Sequence, residues 1–579
     1  MKKTSKTLLF VLLLVVVLSI GVFATWNQYQ GNDNHNGQIT DTTPPPIATP
    51  IATAKPALNY SGTGWSGVDT TPVMETIDDV TYSYVTYNGR KKGTQLSKIN
   101  CNTGLTAWST TIANGSANVL ATPYLDTTNG VIYVAAVDYY YALSSPEFTK
   151  SSDWSTTGGA SIHVDGSIPY PNPALSYATI PNGGSVYQEF SYPLSSSAQT
   201  QLTSGIKLDS NSTTATITYT LTKPDNSTET LETITLNTST VDDPYDWNYV
   251  EALGSGHVHA TGTYRITVSV TDGTVIVDYV TYSRTTAGIK AVNRSGSIVN
   301  ANVASASYGG QINTPITKYG NYLYFGTYNG QYKYYQVDLT ESDPTKNTKV
   351  FTGQNHFYWA GAYSDGTYVY FGGDGGYFYK RSVTDFDTVG QVYTLSDESS
   401  PSVTPGNVRS TVSHDDGKLY FTSQGGYLWK FDTSTSNFTY AIIGAANTNN
   451  GSSTSTPAIT SDGNIYVGSY GVNHKAIFKT TTSFTNGSYM NKLAATDNLP
   501  VQASVIVYTT NGTDYIFFTT NVSGGRGYCY SSPVAQNTAS SVWSTESATF
   551  TLQGMAACDG YLTFGNDANT FYVIHASVS

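Results

Sequence analysis

The stretch STPAITSDGNIYVGS, Ser455–Ser469, decides the fold. It reads as a short strand, an Asp-Gly turn, and a second apolar strand that ends in Gly and Ser. Its second half returns along the chain as NGVIYVAA (Asn129–Ala136), GNYLYFGT (Gly320–Thr327), DGTYVYFGG (Asp365–Gly373) and DGKLYFTS (Asp416–Ser423). It returns again as TDYIFFTT (Thr513–Thr520) and DGYLTFGN (Asp559–Asn566). The aromatics Tyr324, Tyr370, Tyr420, Tyr466 and Phe517 stand 46, 50, 46 and 51 residues apart. A period of about 40–50 residues built from strands alone marks a β-propeller, with one four-stranded sheet per repeat.

Composition agrees with an all-β fold. Of 579 residues only 12% are charged, whereas 47 are Tyr and 53 are Gly. Strand formers and turn formers at this density leave no sustained helical period beyond the N-terminus. The net charge of −12 and the lack of a basic stripe argue against nucleic acid as a partner.

First strands of successive blades read TPVMETIDD, ATPYLDTTNG, NTPITKYGN, WAGAYSDGT, RSTVSHDDGK, STPAITSDGN, ASVIVYTTNGTD and GMAACDG, which counts eight blades. Seven is the alternative if the first or last repeat is degenerate. The final repeat has three strands after Gly554, and NYSGTGWS (Asn59–Ser66) is positioned to supply a fourth. Such closure removes an exposed sheet edge. The phrases TPAITSDGNIYVGS and INCNTGLTAW resemble the pyrroloquinoline-quinone-like propeller repeat, over residues 60–145 and 287–579. That repeat is shared by quinoprotein dehydrogenases and by non-catalytic scaffolds of the BamB type. The resemblance implies fold and leaves activity open.

Between Leu143 and Gly288 the repeat vanishes, then resumes at GIKAVNRSGSIVNANV as the outer half of blade two. Residues 146–286 are therefore expected to form a β-sandwich of jelly-roll type inserted in that blade, between propeller parts 58–145 and 287–579. Its strands read SVYQEFSYPL, TTATITYTLTKP, ETLETITLN, TGTYRITVSV and GTVIVDYVTYSR. The tail Ala260–Arg284 resembles the end of carbohydrate-binding-module jelly rolls. In such modules a loop aromatic stacks on a sugar while acids and amides hold its hydroxyls. By that resemblance the candidate sugar contacts are Trp247, Tyr245, Tyr249, Asp243 and Asp246 in TVDDPYDWNYVEAL. The competing reading places Trp247 in the sandwich core and the acids in a turn.

Lys2, Lys3 and Lys6 precede an apolar run from Leu8 to Trp26, the pattern of an export signal over residues 1–26. As an uncleaved anchor the run would place Trp26 at the outer membrane interface. As a leader it would be cut after Val22-Phe23-Ala24. Residues 27–57, ending TTPPPIATPIATAKP, read as an extended Pro/Thr stalk.

Eleven N-x-S/T sequons mark candidate glycosylation sites at Asn59, Asn114, Asn211, Asn226, Asn237, Asn293, Asn437, Asn450, Asn486, Asn511 and Asn521. Cys101, Cys529 and Cys558 lie far apart; Cys529 and Cys558, in consecutive repeats, are the one candidate disulfide. His257 and His259 share a strand face, yet no metal ligand set is assigned, and no calcium loop is evident. Adjacent cysteines of the kind that quinoprotein sites use are missing, so no pyrroloquinoline quinone or other cofactor is expected. No nucleophile elbow, H-E-x-x-H or phosphate loop occurs. The expectation is a non-catalytic binding or structural protein, extracellular and tethered, with a surface glycan or envelope protein as partner. A BamB-type interaction scaffold and a polysaccharide-acting enzyme are the alternatives.

Overall fold

The computed structural model describes the chain from Thr25 to Ala576, apart from residues 49–50, 59–66, 69, 89–92, 114–120, 146, 165–175, 193–198, 241–243, 245–247, 255–261, 307–310, 329–331, 344–345, 400–401, 445–450 and 569. It is almost wholly antiparallel sheet and takes the form of a β-propeller. The short strands Val73–Ile77, Tyr124–Asp126, Thr317–Tyr319, Tyr363–Ser364, Ser413–Asp415, Ala458–Ile459, Ile506–Thr510 and Ala556–Cys558 each open a meander. All but the first are followed across a tight turn by a copy of the repeated phrase, such as Asn464–Ser469 pairing with Ala458–Ile459; the first is followed by Val80–Asn88. Asp416 and Asp559, just before the Gly of these turns, hold φ of 43° and 46°, left-handed values that Asp tolerates.

Apolar clusters tie each meander to the next. Leu96 packs with Val134, Ile289 with Phe325, Tyr334 with Phe371, Phe378 with Phe421 and Leu428 with Val467. Tyr466 packs with Phe518, and a last cluster joins Phe517, Phe564 and Val85, which closes the ring.

The N-terminal chain departs most from expectation. The segment read as a free stalk is built into the body. Thr25 and Trp26 pair with Glu75 and Met74, and Trp26 is buried in the core, not placed for a membrane interface. Asn27 then accepts a hydrogen bond from the Leu125 N–H, and Asn34, Asn36 and Gly37 accept from His414, Ile459 and Val507. The Tyr319 hydroxyl donates to the Asp33 carbonyl, and the Asp559 N–H to the Asp41 carboxylate. Residues 25–41 thus touch the first strands of meanders all round the ring and fill its axis. Farther on, Ile51–Ala54 pairs with Phe571–Ala576 as the outermost strand of the last meander. N-terminal residues close the ring as anticipated, but from within the supposed stalk; Asn59–Ser66 lie outside the described residues. Composition misled because Pro56 lies just past a strand that bonds on one side only, where proline removes no ladder bond.

Residues between Val131–Tyr141 and the latter half of the 19-residue strand Val275–Asn293 form two facing sheets. One contains Ser155–Thr157, Ser185–Tyr192, Gly262–Thr271, Ala215–Thr222 and Thr228–Leu236; the other contains Ser161–His163, Tyr177–Ile180, Val275–Asn293, Gln199–Leu208 and Asn248–Gly254. Val186, Phe190, Ile217, Leu221 and Val268 meet Leu202, Ile206, Val250 and Val277 in one core. The long strand serves both bodies. Its first part pairs with Gln199–Leu208, and its last part with Val131–Tyr141 and Ile298–Ala306.

Candidate functional site

In an antiparallel meander the Asp-Gly hairpins gather at one end of the axis. The turns after the second strands gather at the other, with the loops that lead into each new first strand. At that second end one meander and the loop leading into the next contribute an aromatic cluster. Tyr328 and Tyr332 come from the end of one second strand and its turn; His356, Tyr358 and Trp359 come from the next loop. Tyr328 lies 5.0 Å from His356 and 4.9 Å from Tyr358 between ring centroids, and Tyr332 meets His356 edge-on at 4.6 Å. Tyr358 and Trp359 are 4.6 Å apart.

An ion pair with a buried carboxylate anchors the cluster. Arg409 donates from Nε and Nη2 to the two oxygens of Asp374 at 2.7 and 2.6 Å, a bidentate geometry. Its guanidinium lies 4.7 Å from the Tyr358 ring centroid. Burial works against the Arg409 charge, but the Asp374 hydrogen bonds and charge outweigh it and its pKa is raised. Burial lowers the pKa of His356; Asp374 opposes this and Arg409 adds to it. From this pair a row of amides runs outward. Asn407 donates to Gln424 at 2.8 Å, and Gln424 donates to the Tyr470 hydroxyl at 2.7 Å.

Two details mark this cluster as more than packing. Trp359 has φ of 57°, a conformation that bulky side chains adopt only under constraint. Its indole N–H and His356 Nδ1 are both buried without a hydrogen-bond partner. Unmet polar groups beside half-exposed rings suit a ligand that brings its own donors and acceptors. Sequence reasoning passed over these residues because they come from three repeats and carry no local motif. The available signal was HFYW (His356–Trp359), four bulky residues where the equivalent loop before Ser455–Ser469 is small and polar.

Of the residues assigned from sequence, Trp247, Tyr245, Asp243 and Asp246 lie outside the described residues, as do His257 and His259. Tyr249 belongs to the strand Asn248–Gly254, in register with Gly205, which is in turn opposite Tyr279. The Tyr279 ring lies over Gly205, where an added Cβ would come within 2.8 Å of it.

Cys529 and Cys558 form no disulfide. Both are buried, and burial raises the pKa of each thiol. Among the described residues no three His, Cys, Asp or Glu are grouped to hold a metal ion. No helix among them is long and apolar enough to cross a membrane, and residues 1–24 lie outside them. Asn59, Asn114 and Asn450 are outside them too. Asn211, Asn226, Asn437, Asn486 and Asn511 are exposed, and Asn237, just past a strand, and Asn293, at the end of one, are half-exposed. Asn521 is half-buried, and its amide donates to Gln502 at 2.6 Å.

No family model matches the chain, and no curated protein sequence matches it. Among solved structures the chain is similar to BamB from Moraxella catarrhalis, at 12% identity over 51% of this chain and 80% of that one, with a TM-score of 0.36. A europium-containing methanol dehydrogenase is similar at 11% identity over 41% and 51%, with a TM-score of 0.30. The CBM22-1 xylan-binding domain of Paenibacillus barcinonensis Xyn10C is similar at 12% identity over 25% and 94%, with a TM-score of 0.20. Likenesses this distant carry no argument about ligand or activity.

Proposed function

We propose that this chain is an exported, non-catalytic binding protein of the cell surface: an eight-bladed propeller with a β-sandwich inserted in its second blade, which binds a saccharide on the propeller face bearing Trp359. The observation that carries the reading is the strained Trp359 with its unpartnered indole N–H, set among Tyr328, Tyr358 and the Arg409–Asp374 pair. Aromatic faces stack on the C–H faces of sugar rings, while amides and charged groups exchange hydrogen bonds with ring hydroxyls. The sandwich offers a second contact, supported by the register of Tyr249, Gly205 and Tyr279 on one sheet.

The test is binding of the exported protein to a glycan array and to insoluble polysaccharides, with release of reducing sugar followed in the same samples. Trp359→Ala and Tyr358→Ala should each weaken binding roughly tenfold, the scale of one aromatic contact, without moving the thermal midpoint by more than a few degrees. No saccharide binding, or full binding by both variants, defeats the reading. Capture of an envelope protein lost in the same variants would favour the scaffold alternative, and sugar release the enzyme.

A further inference from the structure

At the end of the axis that bears Trp359, two positions recur from one meander to the next. Tyr324, Tyr370, Tyr420, Tyr466 and Phe517 each lie opposite the first strand of their own meander, in register with Thr317, Tyr363, Ser413, Ala458 and Ile506. Four residues past these aromatics stand Tyr328, Asp374, Gln424, Tyr470 and Asn521. Four residues before Tyr363, Ser413 and Ile506 stand Trp359, Arg409 and Gln502; the matching Asn313 and Thr454 are buried. Apart from the buried Asp374, these side chains all remain partly exposed, and every one can hydrogen-bond.

Bonds among them hold the row in place without exhausting it. Gln424 accepts from Asn407 at 2.8 Å and donates to the Tyr470 hydroxyl at 2.7 Å. Asn521 donates to the Gln502 side chain at 2.6 Å, and the Thr454 hydroxyl donates to the Gln502 backbone carbonyl at 2.9 Å. A primary amide has two hydrogens and two lone pairs, so each pair keeps donors and acceptors over. The two ionised groups of the row, Arg409 and Asp374, neutralise each other. Trp359 and Asn521 belong to meanders three steps apart. Neighbouring sheets pack face to face roughly 10 Å apart, less near the axis, so the row is longer than one sugar ring.

We propose that the ligand is a linear, uncharged polysaccharide held along its chain. One sugar stacks at Tyr358 and Trp359, and successive sugars bond to Gln424, Tyr470 and the Gln502–Asn521 pair. The proposal rests on the saccharide reading above and adds to it the course of the chain and the class of polymer. Uronic and sulfated chains are excluded, because no unpaired cation in the row offsets their buried charge.

The experiment is calorimetric titration of the full chain with cello- and manno-oligosaccharides of graded length, disaccharide to octasaccharide, and with polygalacturonate. Affinity for one neutral series should rise roughly tenfold from disaccharide to hexasaccharide, the scale of two net hydrogen bonds. It should not change between low and high salt, and polygalacturonate should not bind. Gln424→Ala and Gln502→Ala should each remove several-fold of the hexasaccharide affinity and leave the disaccharide within about twofold, whereas Trp359→Ala weakens both. The length series uses the native protein, so it decides the matter even if a variant folds poorly. Equal affinity for all lengths, still lost in Trp359→Ala, overturns the extended track and keeps the saccharide reading. Tighter binding of polygalacturonate than of either neutral series overturns the uncharged class. No binding by any of these probes or by the insoluble polysaccharides overturns both readings.

Discussion

At the scale of single residues, the axis of the propeller holds a histidine with nowhere to put a charge. His35 is fully buried, its Nδ1 is 2.7 Å from the Tyr29 carbonyl, and its Nε2 has no partner. Burial lowers its pKa to about 4, against the backbone hydrogen bonds that raise it. The unfolded chain, with an ordinary value near 6.5, binds the proton more tightly than the folded one. His35 therefore contributes stability that is complete above about pH 6.5 and is lost as pH falls towards 4. The difference is on the order of 3 kcal/mol. Thermal midpoints measured from pH 7.5 to 4 should fall more steeply in the native protein than in His35→Asn; parallel curves would exclude His35 as the source. Asp33, whose pKa is raised by loss of water, acts in the opposite sense over lower pH. Neither residue could be picked out in the sequence, because a lone His in a polar segment looks the same whether it is solvated or sealed.

At the scale of elements, the third strands carry a device that the sequence displayed without explaining. The lysine that recurs in them reaches across to the next meander and caps carbonyls of its outer turn. Lys479 Nζ donates to the Pro533, Val534 and Gln536 carbonyls at 3.2, 2.9 and 2.7 Å, and Lys430 to those of Thr482 and Phe484. Lys98 reaches the Arg294 carbonyl at 3.5 Å while lying 3.8 Å over the Tyr82 ring. Gln336 plays the same part towards Val383 at 2.8 Å. Lys479→Met keeps the stem and removes the charge, leaving three carbonyls short of a donor. It should cost about 2–3 kcal/mol, whereas Lys346→Ala, exposed in a turn, should stay within about 0.5 kcal/mol. Urea midpoints for the two variants compare them directly; equal losses would mean the latch is idle. Legibility at this scale followed chemistry. The repeat strands were plain because short runs of apolar residues, buried on both faces, recur after Gly-containing turns at a fixed period. Gln199–Leu208 went unread because Ser204 interrupts its apolar face, and only the structure reveals that this hydroxyl donates to the Tyr279 carbonyl at 2.7 Å. The HFYW cluster was visible as letters, but its meeting with Arg409 depends on two loops separated by a whole repeat.

For the whole molecule, closure is the decisive property, and it rests on the segment whose composition least suggested it. Residues 25–54 fill the axis with Trp26, Tyr29 and Ile39, then complete the last meander. Burying three such side chains is worth about 1.5–3 kcal/mol each, before the strand pairing is counted. Supporting contacts extend outward: Trp543 donates to the Pro46 carbonyl at 2.7 Å, and Lys55 pairs with Glu546. A chain beginning at Leu58 would leave Phe571–Ala576 as an open edge and the inner strands without their shared partner, the situation that favours edge-to-edge aggregation. Such a chain should melt at least about 10 °C below the full body, or collect as soluble oligomers, as judged by light scattering. Residues 25–57 added as a separate peptide should bind it and restore the midpoint, because every contact they make is non-covalent. An equally stable monomer without them would mean that the repeat sheets close by side-chain packing alone. The latched lysines and the Arg294–Glu75 pair, with N–O distances of 2.8 and 2.5 Å, would then carry the ring. Combining Arg294→Met with the truncation separates the two cases. If the N-terminal segment governs closure, the substitution adds little to an already opened ring; if the inter-meander latches govern it, the double change unfolds the protein.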